Sequence, residues 1–216
     1  MEISSLVDIL GKTDKITTES SAIEHYRLAP SEQIRAIEYH FGKIMEALGL
    51  DLTNDSLKNT PLRVAKMYVN ETFSGLNPLN EPSVTLFENK YKYDEIILER
   101  NIPVYSCCEH HFVPIIGKAH IAYISNGKIV GLSKLNRIVQ YFSKRPQVQE
   151  CLTIEIANFL KKKMHTEDVA VVINAEHLCV ASRGIKDTGC TTITNSFHGQ
   201  FMNPEKRAEL LSLLMI

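Results

Sequence analysis

From Ser31 the chain takes up a helical rhythm: Ile34, Ile37, Phe41, Ile44, Met45 and Leu48 recur at spacings of three and four until Gly49. A second helix is predicted from Thr60-Pro61, with Thr60 as N-cap and proline in the first helical position, where a missing N–H costs nothing. Its apolar stripe is Val64, Met67, Tyr68 and Phe73, and it stops before Gly75. The rhythm then changes. Residues 84–105, 113–124 and 128–132 are rich in β-branched and aromatic side chains without helical period, and Asn126-Gly127 separates the last two, which predicts antiparallel strands. A third helix is predicted from an N-cap at Ser133, burying Leu135, Ile138, Val139 and Phe142. A fourth follows Arg145-Pro146, with Val148, Leu152, Ile156 and Phe159 on its inner face. Residues 168–181 read as one long strand and 191–194 as a short one, and Asn203-Pro204 opens a terminal helix.

Helices, then strands, then a helix pair, then strands again predict an α+β fold with helices on one face of an antiparallel sheet. The expected organisation is a flexible, polar N-terminal arm over residues 1–30, an N-terminal helical region over 31–80 and the main domain over 81–216. Charge narrows the function. Among 216 residues, 24 Lys and Arg oppose 25 Asp and Glu, so no global basic field exists for nucleic acid or anionic lipid, and any anion must be held by a local cluster. Five cysteines, an odd number, offer no disulfide framework, and Met1-Glu2-Ile3-Ser4-Ser5 has neither the basic nor the apolar part of a leader. A reducing, cytoplasmic compartment is therefore expected. No apolar run approaches the ~18 residues of a membrane span, so no membrane partner is expected.

The densest polar constellation is Ser106-Cys107-Cys108-Glu109-His110-His111. Thiols and imidazoles this close together are a metal candidate, but Cys107 with His110 and Cys108 with His111 are both C-x-x-H pairs. Side chains three apart on a strand point to opposite faces, so this segment must turn or bulge to chelate. Further ligands are expected from residues 168–181, where period two places His177 and Cys179 side by side at the end of an apolar face. Cys108, His111 and Cys179 would leave zinc an open fourth position, the catalytic arrangement; adding His177 would close a structural site. Spacing alone leaves both open. In the open site, His110 and His177 would be unassigned imidazoles suited to acid/base work. A separate signal lies at the start of the third helix, where Ser133, Lys134 and Arg137 crowd a first turn that already favours an anion. Lys66 and Arg183 could add charge, while Gln149 and Glu150, opening the next helix, read by themselves as structure.

Several segments together carry a resemblance. Cys-Glu-His-His-Phe-Val-Pro at 108–114, Gly-Lys-Ala-His-Ile-Ala-Tyr-Ile at 117–124 and Gly-Leu-Ser-Lys-Leu-Asn-Arg-Ile-Val at 131–139 closely resemble GTP cyclohydrolase I. So do Arg-Pro-Gln-Val-Gln-Glu at 145–150, Ala-Glu-His-Leu-Cys at 175–179, Arg-Gly-Ile at 183–185 and, upstream, Thr-Pro-Leu-Arg-Val-Ala-Lys-Met-Tyr at 60–68. The match runs from about Ser31 to Phe201, in family order. It implies the tunnelling fold (T-fold), a homodecamer of two stacked pentamers and active sites at subunit interfaces.

It further implies Cys108, His111 and Cys179 as zinc ligands, with Cys107 outside the set, and His110 and His177 as the acid/base pair. Gln149, Glu150, Ser133, Lys134, Arg137, Arg183, Lys66 and Arg63 become substrate contacts for GTP. The implied reaction opens the imidazole ring of GTP at C8, releases that carbon as formate, rearranges the ribose and recloses the ring as dihydroneopterin triphosphate. An ionised Glu150 offers only acceptors to the adjacent guanine donors, which selects guanine over adenine. The competing expectations are another pterin or purine enzyme of the same fold, or a non-catalytic, zinc-stabilised nucleotide-binding assembly.

Overall fold

The computed structural model describes residues 28–215. The expected arm lies almost wholly outside them. The chain forms two compact units, one ending at Ala65 and one beginning at Lys66.

In the first unit, α1 (Pro30–Ala47) starts with proline in its first turn, and Glu32 accepts the Ala29 N–H at 2.9 Å. Only Gly42 and Met45 of α1 are buried; Ile44 and Leu48, expected on its inner stripe, are exposed. Helix α2 (Thr60–Met67) buries Pro61 and Ala65, while Met67 of the expected stripe is exposed. The predicted continuation to Gly75 is not α-helical: a π turn over Tyr68–Thr72 and a 3-10 turn over Ser74–Leu76 replace it. The reason is docking within the second unit. Gly75 donates its N–H to Lys144 O at 3.0 Å, and Arg145 Nε donates to Gly75 O at 2.9 Å. A Cβ at position 75 would collide with the carbonyl of Tyr141, so only glycine permits this approach.

The second unit is built on a five-stranded sheet. Strands β2 (Ile96–Cys108), β3 (Pro114–Ile124), β6 (Val169–His177) and β7 (Thr192–Phe197) are antiparallel neighbours in that order. The short β5 (Pro146–Gln147) lies outside β2 and pairs parallel with its end, so the sheet is mixed rather than purely antiparallel. Short strands β1 (Leu86–Glu88) and β4 (Lys128–Val130) form a separate ribbon. In the register of the large sheet, Cys107 faces Pro114 and Ile115 faces His177, so the ends of β2 and β6 and the start of β3 share one edge.

Helices α3 (Leu132–Ser143) and α4 (Gln149–Met164) pack on one face. Leu135, Ile138, Val139, Leu152, Ile156 and Leu160 meet Ile102, Val104, Ile121, Tyr123, Val171 and Ile173, all essentially without solvent exposure. Each such side chain contributes about 1.5–3 kcal/mol by leaving water. A single helical turn, α5 (Leu178–Ala181), follows β6 directly. Two expectations are corrected by this packing. Ser133 is not the N-cap of α3: Gly131 is, its carbonyl accepting the Lys134 N–H at 2.8 Å, which puts Ser133 within the first turn. Nor are all helices on one face. Ala122, Ile124 and Ala170 alternate with Ile121, Tyr123 and Val171, and with Phe201 and Leu210 they form a second core on the opposite face, covered by α6 (Pro204–Met215). The fold class remains α+β.

Candidate metal centre and active site

The cluster begins where β2 ends. Cys108 donates its N–H to Val113 O and accepts the Phe112 N–H, each at 2.9 Å, which closes a tight turn over residues 109–112. Phe112 takes the left-handed conformation at φ 53° and packs edge-on against Phe73, with ring centroids 5.3 Å apart. That reversal carries His111 back beside Cys108, its Nδ1 4.0 Å from the thiol sulfur. The turn demanded by the three-residue spacing is therefore present.

The third member arrives differently from the expectation. Residues 168–181 are not one strand: β6 stops at His177, and the chain curls into α5. Period two thus holds as far as His177, and the curl turns Cys179 towards the end of β2. Donor atoms of Cys108, His111 and Cys179 all lie within 4.8 Å of one another, the one such group among the described residues. In a tetrahedral zinc site, ligands at about 2.0–2.3 Å sit roughly 3.5–4 Å apart, so small side-chain adjustments would close these three on one ion. Two soft thiols with one imidazole suit zinc among the divalent ions.

Electrostatics separates this group from its neighbours. Burial pushes the Cys179 thiol up, with the adjacent Cys108 adding to it and the Arg183 guanidinium opposing. Two thiols held together this way gain from a cation that takes both as thiolates. Cys107 is 4% exposed and belongs to the buried core; burial above all, then Cys108 and Cys179, push its thiol up to about 11. Of the two C-x-x-H registers, the geometry selects Cys108 with His111. His110 is exposed, its Nδ1 3.7 Å from Cys108 Sγ and its Nε2 3.8 Å from a Glu109 carboxylate oxygen.

His177 is outside the ligand group, against a four-ligand closed site. Its Nε2 lies 2.8 Å from Gln149 Oε1. Burial lowers its pKa, with the Glu150 carboxylate acting in the opposite sense, so the surroundings favour the neutral ring. Gln149, expected among the substrate contacts, is instead 1% exposed, with its amide directed into the protein. Glu150, its neighbour at the start of α4, is exposed and close enough to His177 to act on it. Arg183 is exposed in the loop after α5.

The cations of α3 do not converge on the cluster within this unit. Ser133, Lys134 and Arg137 stand on the first turns of α3, and Asn136 among them donates to Glu99 at 3.4 Å. Glu99 precedes Cys108 by nine residues on β2, roughly 25–30 Å at the rise of a strand. Lys66, at the end of α2, and Arg63, in the first unit, are exposed.

Sequence reasoning missed the supports of the site. Buried Gln147 donates to Phe142 O at 2.6 Å and Ser106 Oγ at 3.3 Å, tying α3 to β2 beneath the cysteines. Arg145 lies over the rings of Tyr141 and Phe142, both 4.7 Å from its guanidinium carbon, and pairs with Glu155 at 3.1 Å. The signal available was the run Gln147-Val148-Gln149, whose amides alternate where a buried connection would otherwise be apolar. Among the described residues, no helix is long and apolar enough to cross a membrane.

Comparison with known proteins gives the family. The family model for GTP cyclohydrolase I matches residues 37–215. A GTP cyclohydrolase 1 of Flavobacterium johnsoniae is 53% identical over 191 residues, covering 88% of this chain and 86% of its own length. Those of Aeromonas salmonicida and Vibrio cholerae are 56% and 51% identical, over 81% and 84% of both chains. With matches of this extent, the chain belongs to the GTP cyclohydrolase I family.

Proposed function

We propose that this enzyme converts GTP and water to 7,8-dihydroneopterin triphosphate and formate at a zinc centre held by Cys108, His111 and Cys179. The single observation that carries this reading is the three-donor cluster with two non-ligand histidines beside it. Three protein ligands leave one coordination position for chemistry, as a catalytic zinc requires. When bound, zinc supplies Lewis acidity that brings the ionisation of water near pH 7.

The protein's own groups do the rest. His110 and His177 serve as the acid/base pair, donating to the purine nitrogen as the C8–N bond breaks and accepting a proton elsewhere in the cycle. Carbon 8 leaves as formate, and the ribose carbons rearrange and reclose the second ring of the pterin. Glu150 accepts from the guanine ring N–H and exocyclic amine, which fixes the base and excludes adenine. Ser133, Lys134, Arg137, Arg183, Lys66 and Arg63 bind the triphosphate, which explains how a nearly neutral protein holds a polyanion.

The distance between the first turn of α3 and the metal cluster supports assembly from more than one chain. A triphosphate beside His177 must be held by α3 of a neighbouring subunit, as in a T-fold homodecamer of two pentamers with sites at the interfaces. In this reading the catalytic T-fold domain spans 81–216 behind a helical region over 31–80, and the five free thiols suit a cytoplasmic location. The test is incubation of purified, metal-replete protein with GTP, following formate and the pterin chromophore. A saturated, catalytically silent zinc with bound nucleotide and no formate would overturn it.

A further inference from the structure

We infer that Gln149 is a positioning residue that holds His177 in its Nε2–H tautomer, so that Nδ1 is the nitrogen left to exchange a proton with substrate. This rests on the reading of His177 as a member of the acid/base pair. The hydrogens along a buried chain of polar groups fix the assignment. Thr153 Oγ1 lies 2.8 Å from Gln149 O one helical turn back, and a carbonyl can only accept, so the Thr153 hydroxyl hydrogen is committed there. The Thr153 and Thr194 hydroxyl oxygens are 2.6 Å apart, so Thr194 must be the donor between them. Thr194 then offers only a lone pair to Gln149 Nε2, 3.1 Å away.

That nitrogen also faces Thr192 O at 2.9 Å and Ile173 O at 3.1 Å. Three acceptors around one end of a fully buried amide fix that end as NH2; the flipped amide would set its oxygen against three oxygens with no hydrogen between them. Gln149 Oε1 is therefore the end that meets His177 Nε2, and an oxygen acceptor at 2.8 Å requires N–H there. A neutral imidazole with hydrogen on Nε2 carries its lone pair on Nδ1. The β6–β7 ladder, which aligns Ile173 with Thr194, and the first turn of α4 thus choose the working nitrogen of a histidine at the end of β6.

Two measurements test this on the full-length, zinc-loaded protein. In 15N-histidine-labelled protein at pH 8, with His177→Ala identifying the signals, the ring of residue 177 should show a protonated Nε2 and a bare Nδ1. The opposite tautomer, or a mixture, overturns the inference, and this measurement needs no turnover. In kinetics, Gln149→Leu should keep its zinc and hold KM for GTP within about threefold while kcat falls roughly 10- to 100-fold, the range of one misplaced acid/base group. On a His177→Ala background the same change should cost nothing further. A raised KM with unchanged kcat would make Gln149 a substrate contact, and an additional loss without His177 would make its role structural; either sinks the proposal. If Gln149→Leu does not fold, the tautomer of the wild-type protein decides alone. Failure of the wild type to release formate would instead strike the proposed function.

Discussion

The two ends of β2 contrast sharply. At its C-terminal end, Cys108 and the β6 residue His177 stand over a buried polar scaffold of Gln147, Gln149, Thr153 and Thr194, in which each amide and hydroxyl has a partner. At the other end, α3 presents Ser133 and Arg137 on an exposed first turn. Reacting groups need positions fixed to fractions of an ångström, and only burial with satisfied hydrogen bonds supplies that. Charges that gather a flexible triphosphate work from mobile, solvated side chains at lower cost. In the proposed function, one end is completed within a chain, while the other acts on a ligand that a second chain positions.

The most damaging way to break the first end is to remove a ligand. Cys108→Ala or Cys179→Ala should lose stoichiometric zinc, measured by metal analysis, and with it essentially all formate production. Next come the non-ligand histidines: His110→Ala and His177→Ala should keep zinc while kcat falls by about 10²-fold or more each. Loss of metal from either at normal expression would reassign the ligands. The second end predicts a different signature. Arg137→Ala should raise KM for GTP more than it lowers kcat, and co-expression with Cys108→Ala should yield hybrid oligomers that recover activity neither variant has alone. No recovery would place both halves of each site on one chain.

Glu150→Gln should weaken GTP binding by about tenfold, since an amide nitrogen would face a guanine donor. The smallest effect expected is on pH dependence of the metal. Because burial holds the Cys179 thiol above its ordinary pKa, zinc uptake must displace its proton, so affinity should fall as pH drops and binding should release protons measurable by calorimetry in two buffers.

Much of this contrast was legible in residue order. The period-two argument that Cys108 and His111 could not chelate from a straight strand anticipated the turn that Phe112 closes. The stripe Leu135, Ile138, Val139 and Phe142 is buried as its spacing required. What misled was local signal without its surroundings. Ser133 looked like a cap because serine caps well, but the preceding strand ends at Val130 and hands the cap to Gly131. Alternation continued to Cys179 in the letters, yet β6 ends two residues earlier. Gln149, matched to a substrate contact, faces inward.

The order of residues by itself determined which chemistry is possible: three thiols and three imidazoles near strand ends, and cations at a helix start in a chain of net charge −1. It determined most of the elements too, though not all their ends, because periodicity and turn residues act over a few positions. The tertiary structure decided which thiol of an adjacent pair lies beside His111 and Cys179, and which imidazole faces the Gln149 amide. Those choices depend on strand register and on hydrogen-bond partners far along the chain, such as Ile173 and Thr194 for Gln149. Their energies exist only once water has been excluded around them.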